Sequence, residues 1–273
     1  MIIELECRNF YKCNDLINRD GQLEVKAIVD GVNPGRIFVD DADSPNSGLI
    51  WLGNNDGFFF IGNEKNEKFN DEINDFIDHF IIPEAKKVHL NCFEAIGNHP
   101  KWNETIEKLF NHRQLESWNQ KVYKLEKGQY QENSEPIIEE DYRVLKINKE
   151  LFESTIDNTE FLLAKIEECW SSPESFFNNG LGYCIVHQNK IVSICFSGFA
   201  VDHTQSVNIE TLKEHRMKKL AQKLAHCFVQ GCLKNELIPY WDCMEENKPS
   251  IAIAENIGLT NALNYKGYYF SFE

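Results

Sequence analysis

Residues 209–221 read IETLKEHRMKKLA. A β-branched, extended-looking segment passes there into a run whose apolar or small residues recur at Met217, Leu220, Ala221, Leu224 and Phe228. This i, i+3, i+4, i+7 spacing predicts an amphipathic helix with one buried face. Lys213, Arg216, Lys218 and Lys219 fall in its first turns, where each cation opposes the helix macrodipole by about 0.3–1 kcal/mol. An anion docked on that end reverses the sign. Free N–H groups and basic side chains after a strand therefore make either a phosphate or pyrophosphate site or a solvated basic helix face.

At 273 residues, 42% of them hydrophobic, the chain has room for one large domain or two ordinary ones with a real core. Two are expected. The 28 basic residues against 43 acidic give a net charge of −15, which repels a phosphate backbone, so no nucleic-acid partner is expected and an anionic ligand should be small. Nine cysteines, an odd number, show neither a C-x-x-C pair nor zinc-finger spacing. They read as reduced cytosolic thiols with no metal site. The amino terminus MIIELECRNF has acids where a signal peptide has bases, and no apolar run approaches the ~18 residues of a bilayer span. A cytoplasmic protein without a membrane partner is expected; nothing in the sequence specifies an oligomeric state.

The first half punctuates short strand-like runs, QLEVKAIVDG, GRIFVDD, GLIWLGN and GFFFIGN, with the turn chemistry of VNPG, ADSPNS and NDG. An antiparallel meander follows. Beyond it come a helix that breaks before Pro83, the strand VHLNCFEA, the helix WNETIEKLFN and the strand SWNQKVYKLE. Residues 126–142, polar and acidic, have the composition of a connector, which divides the chain into domains 1–136 and 137–273. The second half opens on the helices KELFESTI and EFLLAKIEECW. Two strands around a His-Gln-Asn-Lys turn follow, then the strand SVNIETL, the basic-ended helix, the strand IPYWDCM, the helix PSIAIAENIG and the closing segments ALNY and YYFSF. Strand and helix alternating after an initial hairpin predict a mixed sheet with helices on both faces.

IETLKEHRMKKLA, followed by IPYWDCMEENKPSIAIAENIGL, resembles the GNAT superfamily of acetyl-CoA-dependent acyltransferases. GRIFVDDADSPNSGLIW extends the resemblance to the amino half, within the two-domain bacterial group that includes zwittermicin resistance acetyltransferases. It implies an α/β (α+β) fold of tandem GNAT-like domains, each a mixed, mostly antiparallel twisted sheet flanked by helices, the first degenerate. In such proteins a turn of pattern R/Q-x-x-G-x-G/A holds the pyrophosphate of coenzyme A. Here it falls on Arg216, Met217, Lys218, Lys219, Leu220 and Ala221, with Lys219 in place of glycine.

The resemblance also implies that Ile209, Thr211 and Leu212 line the acetyl and pantetheine end through their backbone, and that Asn247 and Ser250 contact the pantetheine arm. Pro249 and Gly258 are good helix punctuation in any case, and Asn247 and Ser250 suit capping equally well. Many members carry a tyrosine where this chain has Ala254. Glu210, ending the central strand, is the expected base, acting through water or with a raised pKa; a solvated strand-edge acid is the alternative. Asp242 and Glu245 suit a cationic substrate, His203 a proton shuttle, and Tyr240, Tyr265, Tyr268 and Tyr269 are further hydroxyl candidates. Cys243 reads as a buried thiol. The expected activity is direct acetyl transfer from acetyl-CoA to a small-molecule amine acceptor, an antibiotic among the candidates. The alternative is a non-catalytic GNAT-like module for CoA binding or protein interaction.

Overall fold

A computed structural model describes residues 1–53 and 57–272. In chain order its elements are β1 (Ile3–Glu4), α1 (Leu23–Val29), β2 (Arg36–Val39), β3 (Ser47–Trp51), β4 (Gly57–Gly62), α2 (Glu67–Phe76), α3 (Ile82–Lys87), β5 (Cys92–Gly97), α4 (Trp102–Leu109) and β6 (Glu116–Lys124). Then come β7 (Tyr142–Lys146), α5 (Lys149–Glu153), α6 (Thr159–Glu167), α7 (Pro173–Asn179), β8 (Gly182–His187), β9 (Lys190–Val201), β10 (Thr204–Thr211), α8 (Leu220–Lys234), β11 (Ile238–Met244), α9 (Lys248–Ile257) and β12 (Thr260–Ser271). The chain divides into two compact units, residues 1–120 with 265–273 and residues 121–264. The boundary expected after residue 136 lies inside the second unit, because Gln131 and Ser134 hydrogen-bond Ile257 and Asn256 at the end of α9.

In the first unit β1 to β5 lie side by side in sequence order, and Gly267 to Ser271 of β12 pair antiparallel with β5. The meander β1–β4 is antiparallel, while β4 and β5 run parallel. Period-two alternation puts Phe58 and Phe60 on one face against Phe69, Ile73, Trp102 and Ile106, and Phe59 and Ile61 on the other against Val25 and Ile28.

Two expectations fail here. QLEVKAIVDG is not a strand: it forms α1, whose Asp30-Gly31 closes the helix, with Gly31 at φ 71° and the Val32 N–H reaching the Ala27 carbonyl at 2.9 Å. Nor does the next helix break before Pro83. A π-helical turn, Ile77–Ile81, carries α2 into α3 through Pro83, and the Ile82 N–H reaches the Ile77 carbonyl just ahead of the proline ring. The expected turn NDG lies in part outside the described residues.

The second unit has the strand order β6-β11-β10-β9-β8-β7. β7 to β10 are antiparallel neighbours, and β10 and β11 are parallel. The His187–Lys190 turn is as expected, with Gln188 and Asn189 at φ 48° and 62°. One face carries α8 and α9: Leu220, Leu224 and Phe228 pack on Ile185, Val192 and Cys195, and Val229 meets Ile251, Ala254 and Ile257. The other face carries α6 and α7, where the Trp170 indole stacks edge-on with Phe176 and donates to the Ser197 carbonyl at 2.7 Å. β7 and α7 were not expected from the sequence, and the two closing segments form a single strand, β12.

Candidate functional site

Parallel β10 and β11 pair over three residues, from Thr204 with Ile238 to Ser206 with Tyr240. A bulge between Gln205 and Val207 then turns β10, which continues against β9 alone as far as Thr211. Bulges add twist and end pairing. Among the described residues β10 and β11 therefore part after Ser206, leaving a fork ~17 Å deep, five residues of strand at about 3.3 Å each. Val207 and Ile209 project from the open part of β10 onto the α8 and α9 cluster, and Leu212 packs beside Leu220. Thr211 Oγ1 is fixed by Ser193 Oγ at 2.7 Å.

Above the fork lies the junction 213–219. The helix expected across it begins only at Leu220. Lys213–His215 is a short 3-10 turn, and Met217 and Lys219 adopt φ 64° and 62°, a left-handed backbone that no right-handed helix can contain. Met217 accordingly lies 100% exposed instead of on the buried helix face. Lys219 sits at the N-cap and makes no side-chain cap bond. The leading N–H groups of α8, those of Leu220, Ala221 and Gln222, have no intrahelical acceptor by the geometry of any α-helix. Arg216 folds back so that its Nε donates to the Thr211 carbonyl at 3.1 Å. An uncapped fifteen-residue helix with Lys213, Arg216, Lys218 and Lys219 before it fits a polyphosphate in donor chemistry and charge.

The first unit shows what an unsuitable version of the same layout looks like. Its parallel pair β4 and β5 stays hydrogen-bonded to the end, from Gly57 with Glu94 to Phe60 with Gly97 and on to the Asn98 N–H at 2.9 Å from the Phe60 carbonyl. Asn98 then binds Gln22 and Asn18, and His99 Nε2 meets the Gly62 carbonyl at 2.9 Å. The following helix, α2, is capped by Asn66 and begins with Glu67. No fork opens among its described residues, and the helix end is already satisfied and acidic.

Glu210 points to the α6 side of β10, where Lys165 Nζ lies 3.4 Å from its Oε2 and 3.0 Å from Glu168 Oε1. Burial opposes the charge of Lys165, but Glu168 and then Glu210 outweigh it and hold the ammonium above its ordinary value. The carboxylate at the fork thus already faces an ammonium. Asn247 caps α9 by accepting from the Ser250 N–H at 3.2 Å, and Ser250 Oγ accepts from the Trp241 indole at 2.9 Å, so both also serve local structure. Glu245 pairs with Lys121 at 3.0 Å. Ala254 is buried without access to solvent. His203 is at the opposite end of β10 from Glu210, ~23 Å away over seven residues, so the two do not act together. Tyr265, Tyr268 and Tyr269 belong to the first unit, where Tyr268 donates to Glu107 at 2.8 Å. Cys243 is buried, and burial raises its pKa, which keeps the thiol protonated. Sequence reasoning passed over Lys165, and also Tyr142, His187 and His215; their side chains meet across strands.

Among the described residues no group of His, Cys, Asp and Glu is arranged to hold a metal ion, and no helix is long and apolar enough to cross a membrane. A bulged strand that leaves its parallel neighbour beneath an open helix end defines a GNAT-type acyltransferase fold in the second unit, in tandem with a first unit that lacks the fork among its described residues. The chain belongs to the GNAT acetyltransferase family, whose model matches residues 14–268. It is 27% identical over 251 residues to the uncharacterized N-acetyltransferase YdfB of Bacillus subtilis, covering 90% of this chain and 89% of that protein. A GCN5-related N-acetyltransferase-like protein from Streptococcus suis shares the fold with a TM-score of 0.70 at 19% identity, over 96% of this chain and 98% of that one. A tandem GNAT protein from the clavulanic acid biosynthesis pathway superposes with a TM-score of 0.59 at 10% identity, over 99% and 98% of the two chains.

Proposed function

We propose that the second unit binds acetyl-CoA and passes its acetyl group directly to the amine of a small cationic molecule. The observation that carries this reading is the fork between β10 and β11, lying under the uncapped amino end of α8. The N–H groups at Leu220, Ala221 and Gln222, with Lys213, Arg216 and Lys219, would hold the pyrophosphate. Backbone groups of Ile209, Thr211 and Leu212, and Asn247 and Ser250 at the head of α9, would line the path of the pantetheine arm. The bound thioester supplies the activated acetyl group.

The chain's own part is to orient that group and to handle protons. N–H groups on the unpaired edge of β10 are free to polarise a carbonyl. Glu210, close to an ammonium already in the free protein, marks where an acceptor amine would lie, and would take its proton through water. The two carboxylates around Lys165 favour a cationic acceptor, consistent with the net charge of −15. Soluble amine acceptors, including antibiotics, suit such a site.

A second reading is a CoA-binding module without turnover, favoured by the absence of a hydroxyl at the buried Ala254. Purified wild type and Glu210→Gln, titrated with acetyl-CoA and then assayed for thiol release with a panel of polyamines and aminoglycosides, separate the two. We expect equal binding and a loss of turnover of at least about 100-fold in the variant. Turnover undiminished by Glu210→Gln removes the base assignment, and binding without turnover by wild type across the panel favours the module.

A further inference from the structure

Tyr142, at the start of β7 and 5% exposed, carries a hydroxyl that touches the phosphate-loop candidate twice. Lys218 Nζ donates to it at 2.7 Å, and His215 Nδ1 lies 3.0 Å away. An ammonium can only donate, so the phenol oxygen accepts from Lys218. Its own hydrogen is then available to Nδ1 of a neutral His215, and its remaining lone pair can accept from Nδ1–H once the ring is protonated. The ring of Tyr142 is itself held by His187, stacked at 4.5 Å, and His187 Nε2 bonds Asp141 Oδ2 at 2.7 Å.

Between the two tied residues lies Met217, and directly after them Lys219, both in the left-handed region. Such a backbone persists only where its surroundings over-determine it. The Tyr142 hydroxyl is a fixed point shared by both sides of the turn. We propose that Tyr142 is a positioning residue for cofactor binding, setting the 215–219 loop before an anion arrives and coupling that binding to proton uptake by His215. This rests on the reading of the loop as the pyrophosphate site.

The coupling follows from the charges around the imidazole. Tyr142 faces it from β7, His187 from β8 with Asp141 behind, Lys190 from β9, and Lys218 and Glu214 from its own loop. Burial first, then His187 and Lys218, hold its pKa below the ordinary 6.5. A polyphosphate beside the loop supplies the missing negative charge and raises that value. On protonation Nδ1–H donates to the phenol oxygen, which still accepts from Lys218, so the tie survives with one bond reversed. Binding then takes up protons, and affinity rises as pH falls through the bound-state pKa of His215.

The test is calorimetric titration of the full chain with acetyl-CoA at about pH 6 and about pH 8, in two buffers of different ionisation enthalpy. Wild type, Tyr142→Phe and His215→Asn are compared. We expect wild type to bind more tightly at the lower pH with net proton uptake, Tyr142→Phe to bind about fivefold more weakly, and His215→Asn to lose the uptake. Tyr142→Phe binding like wild type, or uptake unchanged in His215→Asn, overturns the inference. Where Tyr142→Phe does not fold, His215→Asn decides alone. A wild type that binds no acetyl-CoA overturns the proposed function as well, and is distinguishable from either variant result.

Discussion

Lys219 is the residue at which this chain departs from the glycine of the R/Q-x-x-G-x-G/A turn, and it holds φ 62° and ψ 16° at the N-cap of α8. The left-handed region costs a residue with a Cβ roughly 1–2 kcal/mol, whereas glycine enters it freely. Glycine also loosens the unfolded chain, at a cost of about 0.4–1 kcal/mol. Lys219→Gly should therefore stabilise the protein by about 0.5–1 kcal/mol, a rise in Tm of roughly 1–2 °C for a chain of this size. Lys219→Ala removes the same charge and keeps the strain, so it should give no such rise.

Differential scanning calorimetry on the three proteins in one buffer reads the comparison directly. An alanine variant as stabilised as the glycine variant would refute the backbone argument, because the gain would then come from relieving repulsion among Lys213, Arg216, Lys218 and Lys219. No gain from glycine would show that the turn stores no strain. With acetyl-CoA as ligand, the glycine variant should still bind, and its affinity should depend less on salt than that of wild type, one exposed cation having been removed.

His226, fully buried in α8, is held below the ordinary 6.5 by its burial, and His215 is shifted in the same direction. The unfolded chain then binds protons that the folded one does not, so stability present above about pH 6.5 is lost as pH falls through the folded values. Glu24, which burial raises to about 7, acts in the opposite sense over the same window, so the histidine contribution is read as a difference. From about pH 7.5 down to about pH 5.5 His226→Gln should lose less Tm than wild type, and an identical pH dependence would mean His226 does not titrate in that window. Ala254→Tyr tests whether α9 can accept a phenol hydroxyl at this position. Ala254 packs without solvent access among Trp241, Ile251 and Ile257, so the ring should cost about 1–3 kcal/mol by overpacking, read as a lower urea midpoint, whereas wild-type stability would reveal room on that face.

Much of this architecture can be read from local pattern. The strands of both units alternate with period two or form short apolar runs, and the His187–Lys190 turn places Gln188 and Asn189 where positive φ is tolerated. The errors arise where one pattern serves two conformations. LEVKAIV alternates as a strand would, yet Asp30-Gly31 after it works as a helix stop instead of a hairpin turn. KEHRMKK has helical spacing, and the signs of φ at Met217 and Lys219, which start α8 later, leave no mark on composition. The Tyr142, His187 and His215 group is harder still, since it joins residues 73 positions apart through a strand hidden in an acidic stretch.

The difference between the two units is, by contrast, written at their junctions. NEKNEKF supplies Asn66 as a cap and Glu67 as a first-turn acid, so α2 needs no external anion; KEHRMKKLA supplies neither, and α8 is left open and surrounded by cations. The fork beneath it depends on the bulge at Gln205–Val207, a register change with no signature of its own in the letters. The basic, uncapped helix end proposed to hold phosphate was therefore legible in residues 213–221, but the slot that would give a bound thioester access to Glu210 becomes apparent only when the pairing of β10 is followed strand by strand. A site of this kind needs both, because an anion-binding helix end over a closed sheet would hold a coenzyme without presenting its acetyl group to any acceptor.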